Sequence, residues 1–168
     1  GRIIKKPLGH KGMWVNFSSK KLFTMTIPWG DISTAYTNTL IPNIETYTSV
    51  SPKTFSMLIW QGVYNWVLKL SFVRNYYKKK IKKMPAGPDE AMRKKAKSLV
   101  WGEVSNAAGK TLHANLEGPE GYTLTAISSL IILKKVLSQN FKPGYQTPAA
   151  CYGADLVLEI PGVTRTMA

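Results

Sequence analysis

Cysteine is nearly absent from this sequence: Cys151 stands alone among 168 residues. A lone thiol cannot make a disulfide within the chain, and it excludes a structural zinc site built on a cysteine cluster. A reducing, cytoplasmic compartment fits that usage. Cys151 has no base beside it in sequence and reads as a buried inert thiol. His10 and His113 are the only histidines, far apart and without metal-ligand spacing. No metal site is expected, and each reads as a surface or strand residue. No Gly-x-Gly-x-x-Gly turn occurs between a strand and a helix, and no Walker sequence occurs anywhere. Nothing here can cradle a pyrophosphate in the usual way, so this chain alone is expected to bind no cofactor. Gly118-Pro119-Glu120-Gly121 precedes a helix, but Pro removes an amide donor and Glu repels anions. It reads as a tight turn.

Acidic residues are scarce too. Nine stand against 23 Lys and Arg, a formal net charge of +14. None falls between Glu45 and Asp89, whereas eleven of the basic residues lie between Lys69 and Lys97. This is one local basic block and not a uniformly basic surface. Long apolar runs are missing as well. Gln61, Asn65 and Lys69 interrupt the most apolar stretch, and a membrane span needs about 20 mostly apolar residues. No basic stretch followed by an apolar one marks a secretory signal. The sequence opens at Gly1, without Met, and runs directly into Arg2-Ile3-Ile4-Lys5-Lys6. Such an opening is expected of a piece of a longer protein.

What is present suffices for one globular domain, residues 1–168. Apolar residues make up 44%, with five Trp and eight Tyr to supply buriable surface. Residues 13–17 and 21–27 read as a hairpin joined by Ser18-Ser19-Lys20. In the second run Leu22, Thr24 and Thr26 share one side, and Phe23, Met25 and Ile27 the other, more apolar one. Pro28 stops it. Asp31 is expected to cap a short helix, and residues 44–50 are β-rich. Ser51-Pro52 is a good helix start. The spacing of Phe55, Ile59, Val63, Trp66, Leu70, Val73 and Tyr77 predicts one long helix over 53–80. Its end, Lys78-Lys79-Lys80-Ile81-Lys82-Lys83, suits the macrodipole. Pro85-Ala86-Gly87-Pro88 breaks the chain, and Asp89-Glu90 opens a short basic helix to about Lys94. Residues 98–105 and 111–116 form a second hairpin, 122–137 a second good helix, and Pro148 begins a last short one. The tail from 155 to 168 gives no firm assignment. The order predicts an α+β fold with a mixed, largely antiparallel sheet and helices on one face.

Residues 28–47 closely resemble the stretch with which the second domain of saccharopine-dehydrogenase-like reductases enters its sheet. A Pro28-Trp29-Gly30-Asp31 turn leads into Ser33-Thr34-Ala35-Tyr36, then Ile41-Pro42-Asn43-Ile44. Four further segments resemble the same family in the same order: 85–88, Val100-Trp101-Gly102-Glu103, 117–126, and 144–150 with Tyr152-Gly153. Together they cover roughly residues 24–165. The resemblance implies a two-domain oxidoreductase. An N-terminal Rossmann domain carries NAD(P), and an α+β second domain, similar to the C-terminal domain of glyceraldehyde-3-phosphate dehydrogenase, covers the cofactor cleft. The Rossmann half is missing from this sequence, so the chain alone is expected to be inactive. The resemblance supplies a hydride-transfer class but no substrate.

The matched segments nominate Trp29, Asp31, Thr34, Tyr36 and Thr39, and Tyr122, Thr123 and Thr125, as substrate-contact candidates. Asp or Tyr beside a hydride acceptor can exchange a proton with it. The alternative is that Asp31 merely caps a helix, Tyr36 packs, and 122–125 is a helix cap. The basic block leaves three readings open. It is a solvated helix end, or a device that docks on an anionic membrane surface or a protein partner through Lys78, Lys79, Lys80, Lys82 and Lys83. Or it binds nucleic acid, against which the helical spacing of the aromatics argues. If it docks on lipid, the chain is peripheral at a membrane. A missing Rossmann partner and self-association into a homo-oligomer are both expected, through a sheet face or the long helix.

Overall fold

A short polar link, Ser18-Ser19-Lys20, turns two apolar runs back on each other, closed by Phe17 N donating to Lys20 O at 2.9 Å. They become β1 (Gly12–Asn16) and β2 (Lys21–Thr26), antiparallel with Trp14 opposite Phe23 and Val15 opposite Leu22. A three-residue strand, β3 (Tyr47–Ser49), pairs antiparallel on the other edge and makes β2 the central strand. This computed structural model describes residues 2–85 and 87–167, apart from the side chain of Ile59. Gly1, Ala86 of the Pro85–Pro88 break and Ala168 of the tail lie outside the described residues.

The sequence pattern expects β2 to bury one face. Instead Thr24, Met25 and Thr26 are buried in succession. On one face the aromatic rings close over the strand: Phe23 meets Trp14 and Phe55 edge-on, with centroids 5.4 and 5.2 Å apart. On the other, the two threonines sit beside buried Val15. Their burial is tolerated because each hydroxyl is bonded. Thr24 Oγ1 donates to Met13 O at 3.0 Å, and Thr26 Oγ1 lies 2.9 Å from His10 Nδ1.

Between β2 and β3 runs α1 (Asp31–Thr39), closed by Leu40 in the left-handed conformation at φ 57°. Gly30, not Asp31, occupies its cap position, so the expected Asp31 cap is not formed. The single long helix predicted for 53–80 is divided. Ser51 caps α2 (Pro52–Met57), accepting from Thr54 N at 3.0 Å. A 3₁₀ turn (Leu58–Trp60) follows, then α3 (Gln61–Lys69) and α4 (Ser71–Ile81). Leu70 between them is extended, at ψ 123°. Asp89 caps α5 (Glu90–Lys95), its carboxylate accepting from Met92 N at 2.7 Å.

The second hairpin is longer than its periodicity predicts. β4 (Lys97–Ser105) pairs antiparallel with β5 (Thr111–Pro119), so Gly118 and Pro119 belong to a strand and not a loop. Glu120 caps α6 (Gly121–Leu137) through Thr123 N at 3.2 Å. Thr147 caps α7 (Pro148–Tyr152). The unassigned tail supplies a 3₁₀ helix (Ala154–Glu159), then β6 (Thr164–Met167) on the free edge of β5. Among the described residues it also supplies two of the four buried apolar side chains, Leu156 and Ile160, the other two being Val15 and Met25. The architecture is α+β, as expected, but its strands form two three-stranded, wholly antiparallel sheets, not one mixed sheet.

The chain exposes 13056 Å². A compact monomer of 18.7 kDa exposes about 8,300 Å² by the surface–mass relation. Much apolar surface therefore remains uncovered, chiefly along α3, α4 and α6.

The helical segment is rooted on the first sheet through Phe55 and Leu58. Gly9 sits under that root with φ +67°, and a Cβ there would lie 2.6 Å from Leu58 Cδ1. Gly9→Ala should destabilise the protein by about 1–2 kcal/mol through left-handed strain. Gly30→Ala, where a Cβ meets nothing within 4 Å, should not. Urea unfolding of both variants checks this, and equal midpoints would show that Gly9 carries no constraint.

Candidate functional site

Three features concentrate chemistry: a polar knot at the edge of the first sheet, an open groove beside the second, and the exposed helices α3 and α4. The knot forms because pairing of β1, β2 and β3 brings residues 10–11, 26 and 45–47 side by side. Glu45 accepts from Lys11 Nζ at 2.8 Å and from the Tyr47 hydroxyl at 2.9 Å, with His10 Nε2 at 3.4 Å. Thr26 Oγ1 accepts from Lys11 N at 3.2 Å. The same hydroxyl lies 2.9 Å from His10 Nδ1 and 3.5 Å from Lys11 O, either of which can take its single proton. Lys11, donating to the carboxylate, holds Glu45 below the usual carboxylate range. Burial, and the Glu45 carboxylate at its hydroxyl, push the Tyr47 phenol up to about 12. Glu103 of the second sheet is near enough to add to that shift. The knot carries acid–base groups, and none of them lines the groove beside the second sheet.

The groove has a volume of about 450 Å³ and lies against the end of β5 and the start of α6. Arg93, Lys94 and Lys97 line it, but so do Glu90, Glu117 and Glu120. Lys94 pairs with Glu90 at 2.8 Å, Lys97 with Glu117, and Glu120 is spent on the helix cap. Its charges are largely satisfied internally.

The sequence-nominated residues distribute unevenly over these features. Trp29 is exposed in the turn before α1, and Asp31 is exposed at its first position. Tyr36 is half-buried. Thr34 and Thr39 donate their hydroxyls to Asp31 O at 3.2 Å and Ala35 O at 2.7 Å, so both are occupied within the helix. Thr125 does the same to Gly121 O at 2.8 Å. Thr123 lines the groove, while Tyr122 projects into solvent. No hydrogen bond joins the two nominated sets among the described residues. What does reach α1 is α7: Asn38 Nδ2 donates to Thr147 Oγ1 at 2.7 Å, across 109 residues of sequence. Thr147 Oγ1 also accepts from Ala150 N at 3.1 Å, so one hydroxyl both caps α7 and ties it to α1. Neither the knot nor this tie was nominated from sequence. A third strand next to residue 26 is the signal that would have located the knot.

Lys78, Lys79, Lys80, Lys82 and Lys83 are all exposed on or just beyond α4. None of them forms an ion pair among the described residues. No cluster of three or more His, Cys, Asp or Glu side chains that could hold a metal occurs among the described residues. No helix is long and apolar enough to cross a membrane among those residues. Comparison with family models, curated proteins and solved structures finds no match to the chain.

The knot generates a pH signature. Glu45 is lowered on folding, so its contribution is present above its unfolded pKa and is lost as pH falls through the folded one. At this half-exposed position it is worth no more than about 1 kcal/mol. Tyr47 is raised, so its contribution is complete below its ordinary value and is lost as pH rises toward about 12. Glu45→Gln should lower stability at pH 7 by about 0.5–1 kcal/mol, and the deficit should vanish at an acid pH below the folded pKa, which lies under the usual carboxylate range. Urea midpoints at both pH values test it; an equal deficit at both would assign the loss to packing and not charge.

Proposed function

We propose that this chain is the substrate-side and assembly domain of an NAD(P)-dependent oxidoreductase of the saccharopine-dehydrogenase-like kind, inactive until a Rossmann unit supplies the cofactor. The observation that carries the reading is the ordered set of five family-like segments, from Pro28-Trp29-Gly30-Asp31 to Tyr152-Gly153. In support, three of the five sit where elements begin. Residues 28–31 open α1, 117–126 join β5 to α6, and 144–153 form and close α7. The Asn38–Thr147 bond ties the first segment to the last. The uncovered apolar surface supports an assembly role, since α6 is apolar around most of its circumference. Tyr122, Leu130, Leu133 and Leu137 are each at least half exposed. A helix of that kind is ordinarily buried. A Rossmann unit, or a second copy of the chain, is the occupant such a mainly apolar face suits.

In this reading Asp31 and Tyr36 are the proton-exchange candidates. Tyr36 is the better placed to be held rigidly, being half-buried. The reduced bond, whether carbonyl, imine or enoyl, is set by the partner cleft.

The test is the coding sequence immediately upstream in the source genome. About 150–200 residues holding a strand, a glycine-rich turn and a helix are expected there or in an adjacent frame. The isolated chain should neither bind NAD(P)H nor turn it over with any substrate. Turnover by the chain alone would overturn the proposal, as would an upstream region without such a unit in either place.

A further inference from the structure

A second uncovered surface differs from α6 in kind. In α3, Gln61, Asn65 and Lys69 recur every fourth residue and make one narrow polar stripe. Val63, Tyr64, Trp66, Val67 and Leu68 fill the rest of the circumference. Trp66 is 65% exposed and Val63 54%. In α4, Phe72, Val73, Tyr76 and Tyr77 share one side, while Ser71, Arg74, Asn75 and Lys78 share the other. Phe72 is 71% exposed. Both helices are amphipathic, and neither has its apolar side covered. The five unpaired lysines follow at the end of α4, in a stretch that holds no acid from residue 46 to residue 88.

The geometry points to this two-helix arm as a docking device for an anionic lipid bilayer, with the Trp66 and Phe72 sides entering the headgroup region and Lys78–Lys83 held at the phosphates. The inference is independent of the oxidoreductase reading. Charge selects the occupant. Two copies of the arm would bring like charge against like charge, which opposes self-pairing. Nucleic acid would satisfy the lysines but leave Val63, Leu68 and Ile81 in water, because phosphates and bases do not cover aliphatic side chains. A bilayer surface satisfies both halves: anionic headgroups attract the cations, and the acyl boundary takes the apolar side. Trp and Tyr favour that interface, and long lysine stems let their ammonium groups reach the headgroups from a partly apolar side, as Lys80 must. The extended Leu70 gives the arm a bend between two short helices, each able to lie in the plane of the surface.

Co-sedimentation of the whole chain with vesicles tests this, using phosphatidylcholine alone and phosphatidylcholine with added phosphatidylglycerol. Binding is expected only to the anionic vesicles, weakening steeply with salt, with Trp fluorescence quenched by brominated acyl chains. Neutralising Lys78, Lys79, Lys80, Lys82 and Lys83 together to Gln should weaken partitioning by at least about tenfold. Trp66→Ser with Phe72→Ser should abolish the quenching attributable to the arm, and circular dichroism should show both variants folded. Equal binding to neutral vesicles, no binding, or binding without quenching would overturn the proposal. So would displacement from anionic vesicles by a duplex oligonucleotide at matched phosphate concentration. The salt series and quenching on the parent chain stand even if a variant fails to fold.

Discussion

Strand β2 is covered from both sides, and the rest of the N-terminal half depends on that. Met25, on the face where Phe23 meets Trp14 and Phe55, and Thr24 and Thr26, on the opposite face, are each nearly inaccessible. A strand buried on both faces normally carries a continuous apolar run. Here two of the three positions are threonines, so the burial depends on hydrogen bonds being complete. Thr26 closes that requirement with residues 10 and 11, which in turn meet Glu45. The polar knot is therefore not an ornament on the sheet edge. It is the condition under which a hydroxyl can occupy the middle of the sheet. Phe55 on the opposite face roots the helical arm on the same strand.

How much of this could be read from sequence follows from how local each signal is. The first hairpin was legible to within one residue at every end because its turn is three polar residues between two β-rich runs. The start of α2 was legible because Ser51 and Pro52 act on their own backbone. The division at Leu70 was not, because apolar residues keep helical spacing straight through it and neither Gly nor Pro marks it. Ser71 is the only weak hint, since serine competes with the helix for backbone bonds. The partition into two sheets was also hidden. Alternation tells a strand which residues share a face, not which edge it will meet. The α+β class was legible for the complementary reason: it needs only the order of elements.

The site shows the same divide more sharply. Asp31, Thr34, Thr39 and Thr125 were nominated by motif, yet Thr34, Thr39 and Thr125 have spent their hydroxyls on the helix and Asp31 caps nothing. The groups that do converge, His10, Thr26, Glu45 and Tyr47, lie on three separate strands or their flanks. Nothing in their spacing announces a meeting. Only the pairing of β3 with β2 brings residue 45 back to residue 11. The lysine block, by contrast, was legible in full, because a run of like charge without acids nearby needs no tertiary knowledge to be recognised.

That block also explains why the two uncovered surfaces should not share one kind of partner. A helix macrodipole offers about half an elementary charge at its C-terminus, enough to balance one lysine in part. Lys78, Lys79, Lys80, Lys82 and Lys83 fall within six consecutive residues, with no acid paired to them among the described residues. Most of their charge repels itself until counter-anions arrive. On the proposed bilayer docking, an anionic surface would supply those counter-anions. The exposed side of α6 carries less charge: Leu130, Leu133 and Leu137 share it with one lysine, Lys134, while Lys135 pairs with Glu159 at 2.9 Å. A mainly apolar stripe is closed by another protein surface, a densely cationic one by anions. On the two proposals, covering α6 leaves the lysines unsatisfied and docking the lysines leaves α6 open, so each surface calls for a partner of its own.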